Sequence, residues 1–279
     1  MYFTTNTERP NGLAPFTRRH HDRRRRRDAS DLSDREWNMI APFIPSQPRR
    51  GRRRKTSLLD VLDALFYLLQ SGCQWALLPR DFPPKSTVHH YFKRFCRDGM
   101  WRCILNAICC RTRQLEGHED QTIIDNQSVK FGSDARRDIG YDAGKKNKSR
   151  QRHILLDKLS MRFKVDFHSA GIPDRNGAVL VFDKLANRFS FIEKICGEGG
   201  YQGPKIEQAS PRPIEIVKRN QAGFQVLPKR WIVERTVAWL GINRRLAKDF
   251  ERFSATNLAF IRTAMIKIMT ISLARYPLS

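Results

Sequence analysis

Apolar residues recur with a helical period through the first part of the chain. Ser33 and Glu36 have the spacing of a capping box and predict a helix that begins there. A second helix is predicted to open at Thr56 and to end at Ser71 and Gly72, because the leucines, valine and phenylalanine between them follow a period of about 3.6.

A third helix is predicted from Ser86, with Val88, Phe92 and Phe95 at core spacing and basic residues between them. Two helices joined by a connection over residues 75–84, with basic residues on the outer face of the second, indicate an all-α, helix-turn-helix-like DNA-binding domain. The alternative is a plain helical bundle whose basic face is solvated. We assign residues 31–115 to this region.

The period changes at Thr122, and an α/β region is predicted to follow. Residues 123–130 predict a strand, residues 152–159 and 162–168 a hairpin, and residues 177–189 a helix. Short strands near 192–196 and 214–218 flank a glycine loop, and the chain is predicted to be helical from Trp231 onward. This order implies a mixed sheet with helices packed on it, over residues 120–275.

Charge indicates the kind of partner. Lysine and arginine number 52 against 28 aspartate and glutamate residues, a net charge of +24 over 279 residues. Solubility does not require so strong a field, which favours a polyanion such as DNA. No apolar run approaches about 18 residues, and no lipid anchor or secretory signal is recognised, so no membrane partner is expected.

The six cysteines include no C-x-x-C pair, so neither a zinc site nor a disulfide framework is predicted. Most are expected to be small buried thiols of a cytoplasmic, nucleoid-associated protein. Residues 1–30 contain five consecutive arginines, Arg23–Arg27, and predict a basic disordered arm. A neutral extension or a mis-assigned start is the alternative. A second basic cluster, residues 49–55, reads as a linker that contacts phosphates.

Three acids are the candidate catalytic residues. Asp125 directly follows the two most apolar residues of its strand, where an ionised carboxylate is costly to bury unless it is paired or binds a metal. Glu198 lies in a glycine loop after a later strand, and Glu234 lies on a helix with an apolar face. Read singly, these are a strand end, a loop acid and an intrahelical partner of arginine. Together they are able to converge on one sheet edge.

Such a cluster suits metal-dependent phosphodiester chemistry. Mg²⁺ or Mn²⁺ prefers carboxylate oxygens, and two ions about 4 Å apart activate the attacking oxygen and stabilise the leaving one. Asp157, Asp166 and Asp174 rank below the first three as ligands. Basic residues expected to hold DNA are Lys93, Arg94, Lys145, Lys146, Lys148, Arg150, Arg152, Arg230, Arg235, Arg244 and Arg245. Trp231 and Trp239 read as core residues, and Tyr201 as either a packing residue or a DNA contact.

Taken together, several segments resemble the DDE transposases of bacterial insertion sequences, specifically the insertion-sequence-five group. They are LSDREWNMIAPFIP at residues 32–45, GCQWALLPRDFPPKSTVHHYFKRF at 72–95, IIDNQSVK at 123–130, GYDAGKKNKSRQRHILLD at 140–157, GGYQG at 199–203 and LPKRWIVERTVAWLGINRRLAKDFE at 227–251. The resemblance implies an RNase H-like catalytic domain with Asp125, Glu198 and Glu234 as the metal-binding acids. It also implies two Mg²⁺ or Mn²⁺ ions, binding of terminal inverted repeats and target DNA, and a homodimer or larger assembly on DNA.

One departure from the family pattern affects the expected activity. The family usually has aspartate directly before Gly-Gly-Tyr, whereas this chain has Glu198. The extra methylene shifts a ligand by about an ångström, so weakened activity is expected. Two alternatives therefore stay open beside a transposase: a decayed or domesticated DNA-binding protein, and a metal-dependent nuclease on the same fold.

Overall fold

The computed structural model describes residues 28–46, 54–116, 121–132, 140–142, 146–157, 164–172, 174–183, 192–217 and 230–274. Four helices come first: α1 (Asp34–Ile40), α2 (Leu58–Ser71), α3 (Lys85–Arg97) and α4 (Met100–Glu116). The predicted capping box is confirmed, since the Ser33 hydroxyl accepts from the Glu36 amide and the Glu36 carboxylate accepts from the Ser33 amide. Helix α2 ends at Gly72, whose φ of 70° lies in the left-handed region that glycine tolerates.

The helix-turn-helix outline differs from the one predicted. Helices α2 and α3 are joined by residues 72–84, which include a 3-10 turn at Trp75–Leu77, whereas a helix-turn-helix has a turn of roughly three to four residues. The tight turn comes one helix later, where only Asp98 and Gly99 separate α3 from α4. Gly99 has a φ of 68°, which permits this abrupt reversal.

The mixed sheet is confirmed. Its strands are β1 (Gln121–Lys130), β2 (Gly140–Asp142), β3 (Asn147–Asp157), β4 (Lys164–Ser169), β5 (Lys194–Gly197) and β6 (Ile214–Ile216). Strand β1 is central: it pairs antiparallel with β3 and parallel with β5, and β5 pairs parallel with β6. Both β2 and β4 pair antiparallel with β3. The antiparallel strands β1 to β4, followed by β5 and β6, which run parallel to β1, give the RNase H-like architecture that the sequence predicted.

Helices α5 (Asp174–Asp183) and α6 (Pro204–Ala209) alternate with the later strands. The helix predicted over 177–189 therefore begins earlier, and residues 184–190 lie outside the described part. Strand β3 begins at residue 147 rather than 152, because pairing with β1 and β2 extends it through a basic segment that has no apolar alternation. The predicted hairpin of β3 and β4 is confirmed.

The C-terminal part is helical with two interruptions. It forms α7 (Arg230–Ile242), α8 (Arg244–Ala247) and α9 (Ser254–Ala274), so the prediction of one continuous helical stretch was too simple. An irregular segment over residues 248–253 separates α8 from α9, and it forms an isolated bridge between Asp249 and Phe131 at the end of β1.

Helix α9 is long enough and apolar enough in its mean composition to be a candidate membrane span. Arg262 and Lys267 interrupt its apolar residues, so it contains no uninterrupted apolar run of about 18 residues. In the structure most of the helix is buried inside the protein, and Phe260 and Met265 are fully enclosed. It packs against α1, α2, α3 and α4, which are the helices of the N-terminal region. A core helix passes the same test of length and composition.

The larger apolar core joins the two predicted domains. It contains residues of α1 to α4, Ile123 of β1, Ile154 of β3, and residues of α7 and α9. A smaller core on the other face of the sheet contains Ile124, Leu155, and residues of α5. The residues before and after the boundary near residue 115 therefore share one apolar core, because α9 packs against the N-terminal helices and completes their core.

All six cysteines are free thiols, and only Cys109 and Cys196 are buried. The expectation that most are buried was wrong, since Cys103 and Cys110 lie on the exposed face of α4. The predicted basic arm falls almost wholly outside the described residues, and of the linker over 49–55 only Arg54 and Lys55 are described.

Candidate active site

The first two candidate acids lie on neighbouring strands. Strands β1 and β5 are parallel, with Ile123 opposite Cys196 as the last paired residues. Continuing this register by two residues places Asp125 opposite Glu198, which is still extended with φ −80° and ψ 174°. Adjacent parallel strands are about 4.8 Å apart, so the two carboxylates start from neighbouring backbone positions.

Strand alternation puts both acids on the same face of the sheet. Ile123 and Cys196 belong to the larger core, whereas Ile124 belongs to the smaller core on the opposite face. Side chains two residues apart on a strand share a face. Asp125 and Glu198 therefore point to the side covered by the larger core, and both are half-buried at its border.

The third candidate acid lies on the helix that covers this face. Helix α7 contacts β1 and contributes Ile232 and Val233 to the larger core. Thr236 is fully buried, and its hydroxyl donates to the Ile232 carbonyl at 2.8 Å. Glu234 itself is exposed. The apolar residues on either side of it fix the position of the helix, while the carboxylate stays accessible.

A complete three-ligand metal site is not formed in the described part of the chain. No three histidine, cysteine, aspartate or glutamate side chains there converge closely enough to hold one ion. The donor set nevertheless suits a divalent cation in part, because Asp125 and Glu198 supply oxygen ligands from neighbouring strands on one face. The structure thus brings two of the three acids together and places the third on the helix that packs beside them.

Two arginines predicted to bind DNA lie in the protein interior instead. Arg150 is fully buried, and its guanidinium is 2.7 Å from the equally buried Asp249 carboxylate. It also donates to the Glu251 and Arg252 carbonyls. Arg152 donates to the Leu246 carbonyl at 3.0 Å, and burial lowers its pKa to about 10. They face inward because even-numbered residues of β3 share the face of the larger core.

Arg245 is the third arginine that was predicted to bind DNA and lies in the protein interior. It is only 8% exposed, and its guanidinium donates to the Glu251 carboxylate at 2.6 Å and to the Cys73 carbonyl at 2.9 Å. It also stacks over the Phe260 ring at 4.6 Å. The side chain joins the end of α2 to the segment before α9, so it holds the fold together rather than facing solvent.

Arg235 lies between two tryptophans on α7. Its guanidinium carbon is 4.3 Å from the centre of the Trp231 ring and 4.8 Å from that of Trp239. Partial burial lowers the pKa of Arg235, which remains a cation at neutral pH. Trp231 is 43% exposed, so the expectation that it is a core residue was wrong. The three side chains form a ladder because residues four apart share a helix face.

The remaining basic candidates stay at the surface. Lys93, Arg94, Lys146, Lys148 and Arg244 are exposed. Arg94 makes a 3.4 Å ion pair with Asp98, itself partly exposed. Lys145 and the side chain of Arg230 lie outside the described part. The surface that remains available to DNA is therefore smaller than predicted, and it is contributed by α3, the start of β3 and the α7–α8 junction.

One of the three aspartates that were ranked lower as metal ligands, Asp157, has a structural role. Asp157 is buried beside Arg113, with 3.1 Å between carboxylate and guanidinium. Asp166 accepts a hydrogen bond from the Phe167 amide, and the side chain of Asp174 is not described. Asp157 therefore serves a buried ion pair between α4 and β3.

Sequence reasoning missed a buried polar cluster on the opposite face of the sheet. Tyr201 is almost fully buried, and its hydroxyl lies 3.1 Å from Nδ1 of His153. His153 in turn stacks on His168. Tyr201 is thus a packing residue rather than an exposed contact. The available signal was a histidine at an inward position of an otherwise apolar run, residues 153–156.

Two family models match the chain in succession. Residues 32–105 match "Putative transposase of IS4/5 family (DUF4096)", and residues 116–268, more than half of the chain, match "Transposase DDE domain". The chain therefore belongs to the DDE transposases, of the IS4/IS5 type. Proteins of this family act on DNA and generally use divalent metal ions.

A curated relative is similar over part of the chain. The "Uncharacterized protein y4sN" of Sinorhizobium fredii (strain NBRC 101917 / NGR234) is 29% identical over 89 residues, which are 32% of this chain and 70% of that protein. No solved structure matches the chain significantly.

Proposed function

We propose that this protein is a transposase that binds the terminal inverted repeats of an insertion sequence and catalyses metal-dependent strand cleavage and strand transfer. Asp125, Glu198 and Glu234 are its catalytic acids in this proposal. The observation that carries it is the register of β1 and β5, which brings Asp125 and Glu198 to neighbouring positions on the face covered by α7.

The acids hold the proposed reaction centre at the border of the apolar core. Asp125 and Glu198 would hold Mg²⁺ or Mn²⁺ through their carboxylate oxygens, with Glu234 approaching from α7. Bound there, two such ions would activate the attacking oxygen and stabilise the leaving one. Strand β1 carries Asp125, and strand β5 ends directly before Glu198, which limits the movement of both acids. The ladder of Trp231, Arg235 and Trp239 keeps a cation on the same helix as Glu234.

DNA binding is assigned to the exposed basic residues. Lys93 and Arg94 lie on the outer face of α3, Lys146 and Lys148 at the start of β3, and Arg244 after α7. Their ammonium and guanidinium groups would contact phosphates and release counterions, giving binding that weakens with salt. Joining two element ends would need a homodimer or larger assembly on DNA, acting in the cytoplasm at the nucleoid.

A second candidate is a DNA-binding protein without catalysis, either decayed or domesticated. Two observations favour it: Glu198 stands where the family usually has aspartate, and no three acidic, histidine or cysteine side chains of the described residues form a ligand group. The extra methylene of glutamate displaces the Glu198 carboxylate by about an ångström relative to that of aspartate, and metal coordination geometry tolerates such a shift poorly.

The deciding experiment is cleavage of a labelled duplex carrying the element's own end, in Mg²⁺ or Mn²⁺. Asp125→Asn and Glu234→Ala should each lower cleavage by about 100-fold or more, because each removes a metal-binding carboxylate. Glu207→Ala, which changes an exposed glutamate of α6, is the matched control and should cut normally.

The products separate the candidates. A 3′-hydroxyl end joined to target DNA supports the transposase, whereas hydrolysed ends alone indicate a nuclease. Cutting that appears only with Glu198→Asp would identify a decayed enzyme on an intact scaffold. Specific binding with no cutting by any variant would contradict the catalytic proposal.

A further inference from the structure

The polar cluster of Tyr201, His153 and His168 connects the loop of Glu198 to a distant strand. The Tyr201 hydroxyl is 3.1 Å from Nδ1 of His153, and both side chains are buried. Their rings meet edge to face, with centroids 6.0 Å apart. In the sheet, β1 lies between β5, which precedes this loop, and β3, which carries His153. The tyrosine therefore reaches across one strand to a second.

Tyr201 is also part of the turn that begins at Glu198. Its amide donates to the Glu198 carbonyl at 2.9 Å, which closes the 3-10 turn Gly199–Tyr201. The Tyr201 side chain packs beside Gly197 and Ile124, so a Cβ at Gly197 would come within 3.2–3.3 Å of both. Any displacement of Tyr201 thus moves the backbone that carries Glu198.

The histidine side of the contact is held firmly. His153 stacks on His168 with ring centroids 4.6 Å apart and planes 20° from parallel. Nδ1 of His168 donates to the Ser169 carbonyl at 2.8 Å, since a carbonyl oxygen only accepts. Both rings press against α5 at Gly177, where an added Cβ would clash with the Nε2 atom of each ring. Helix α5 therefore leaves the two rings no room to turn.

Protonation does not disturb this contact near neutral pH. Burial, and to a lesser extent the neighbouring His168, lowers the pKa of His153 to about 3. The imidazole is therefore neutral, and a neutral ring hydrogen-bonds to the tyrosine hydroxyl through Nδ1 in either tautomer. The connection therefore persists at neutral pH.

We propose that the Tyr201–His153 hydrogen bond positions Glu198 for catalysis. The contact lies on the face of the sheet opposite to Asp125, so Tyr201 acts as a positioning residue and does not touch the reacting atoms. This inference rests on the proposed role of Glu198. It adds a residue pair, on the back of the sheet, that controls where that carboxylate lies.

Tyr201→Phe tests the inference, because it removes the hydroxyl and keeps the ring that fills the core. Amide hydrogen exchange in residues 198–203 should quicken by up to about tenfold, the equivalent of one neutral hydrogen bond. The rest of the sheet should exchange as before. Tyr141→Phe, at the exposed tyrosine of β2, is the matched control and should change nothing.

Cleavage gives a second readout. Tyr201→Phe should lower the cleavage rate about tenfold and raise the Mn²⁺ concentration needed for half-maximal activity, while DNA affinity stays unchanged. His153→Leu should lower the cleavage rate about as much. The double variant should cleave no more slowly than either single variant. A merely structural role would instead lower thermal stability and quicken exchange throughout the sheet.

The inference is overturned if amide exchange and DNA cleavage in Tyr201→Phe are the same as in Tyr141→Phe. It is also overturned if the fold-losses in cleavage rate of Tyr201→Phe and His153→Leu multiply in the double variant. If the wild type cuts no DNA, the proposed function fails. Amide exchange still decides whether Tyr201 and His153 hold the loop, because it needs no activity.

Discussion

Two sets of basic residues in this protein look alike in the sequence and differ completely in the structure. Arg150, Arg152 and Arg245 are buried and donate to carboxylates and carbonyls of residues 246–252 and 73. Lys93 and Arg94 lie on the exposed face of α3. The first set ties the segment after α7 to the sheet and to α2, whereas the second set faces solvent.

The comparison shows that a large net charge overstates the DNA-binding surface. A buried guanidinium is stabilised by its partners, and losing one partner leaves an uncompensated charge in the interior. An exposed ammonium or guanidinium is solvated, contributes little to stability, and remains available to phosphate. Stability and DNA affinity should therefore depend on different residues of the same chemical type.

The largest effect on stability is expected at Arg150. Arg150→Met should lower the free energy of unfolding by about 3–5 kcal/mol, because it leaves the fully buried Asp249 without its guanidinium. Denaturant titration measures this loss. Lys148→Met changes an exposed residue of the same strand and should shift stability by no more than about 0.5 kcal/mol. Equal losses in both variants would contradict the division into two sets.

Arg245 should have the next largest effect. Arg245→Ala should lower the free energy of unfolding by about 2–3 kcal/mol, because hydrogen bonds from a charged group to Glu251 and Cys73 are lost. The neighbouring Arg244→Ala retains the Cβ that packs against Gly72 and should remain near wild-type stability. Thermal unfolding of the two variants, side by side, would reveal whether adjacent arginines differ as the structure indicates.

The pH dependence of stability extends the comparison to a buried histidine, His153. His153 has a pKa of about 3 in the folded chain and about 6.5 when unfolded. Between these values the unfolded chain binds a proton that the folded chain does not, so stability should fall as pH drops from about 6.5 towards 3. Above pH 6.5 this residue should contribute no pH dependence.

The measurement is the unfolding midpoint as a function of pH. His153→Gln should flatten the acid limb, whereas His90→Gln, at an exposed position of α3, should leave its slope unchanged. An acid limb that is identical in wild type and His153→Gln would show that the imidazole is not held neutral.

The smallest effect on stability is expected at the exposed set. Replacing Lys93 and Arg94 by alanine should change the free energy of unfolding by less than about 1 kcal/mol, since the ion pair that is lost, Arg94–Asp98, is exposed. DNA affinity should fall, and the slope of log K against log salt should become shallower by about 0.9 for each phosphate contact removed. An unchanged slope would place the DNA elsewhere.

Much of the fold was predictable because local patterns and tertiary contacts agree. The capping box at Ser33, the end of α2 at Gly72 and the β3–β4 hairpin follow from cap chemistry and periodicity alone. The predictions failed where contacts between distant residues decide. Residues 147–151 look like a polar loop, yet pairing with β1 and β2 makes them a strand. Helix α9 looks apolar enough for a membrane because it is buried in the larger core, where it packs against the N-terminal helices and α7.

Of the candidate site, the sequence determined the acids and their type of element: Asp125 on a strand, Glu198 after a strand and Glu234 on a helix. Residue type and local pattern suffice for that, because strand and helix periods are local. Only the tertiary structure decided that β1 and β5 are neighbours, that Arg150 and Arg152 face inward, and that Tyr201 reaches His153. These facts depend on which strands pair and in which register. The physical reason is that pairing is fixed by the packing of the whole core, which no short stretch of sequence contains.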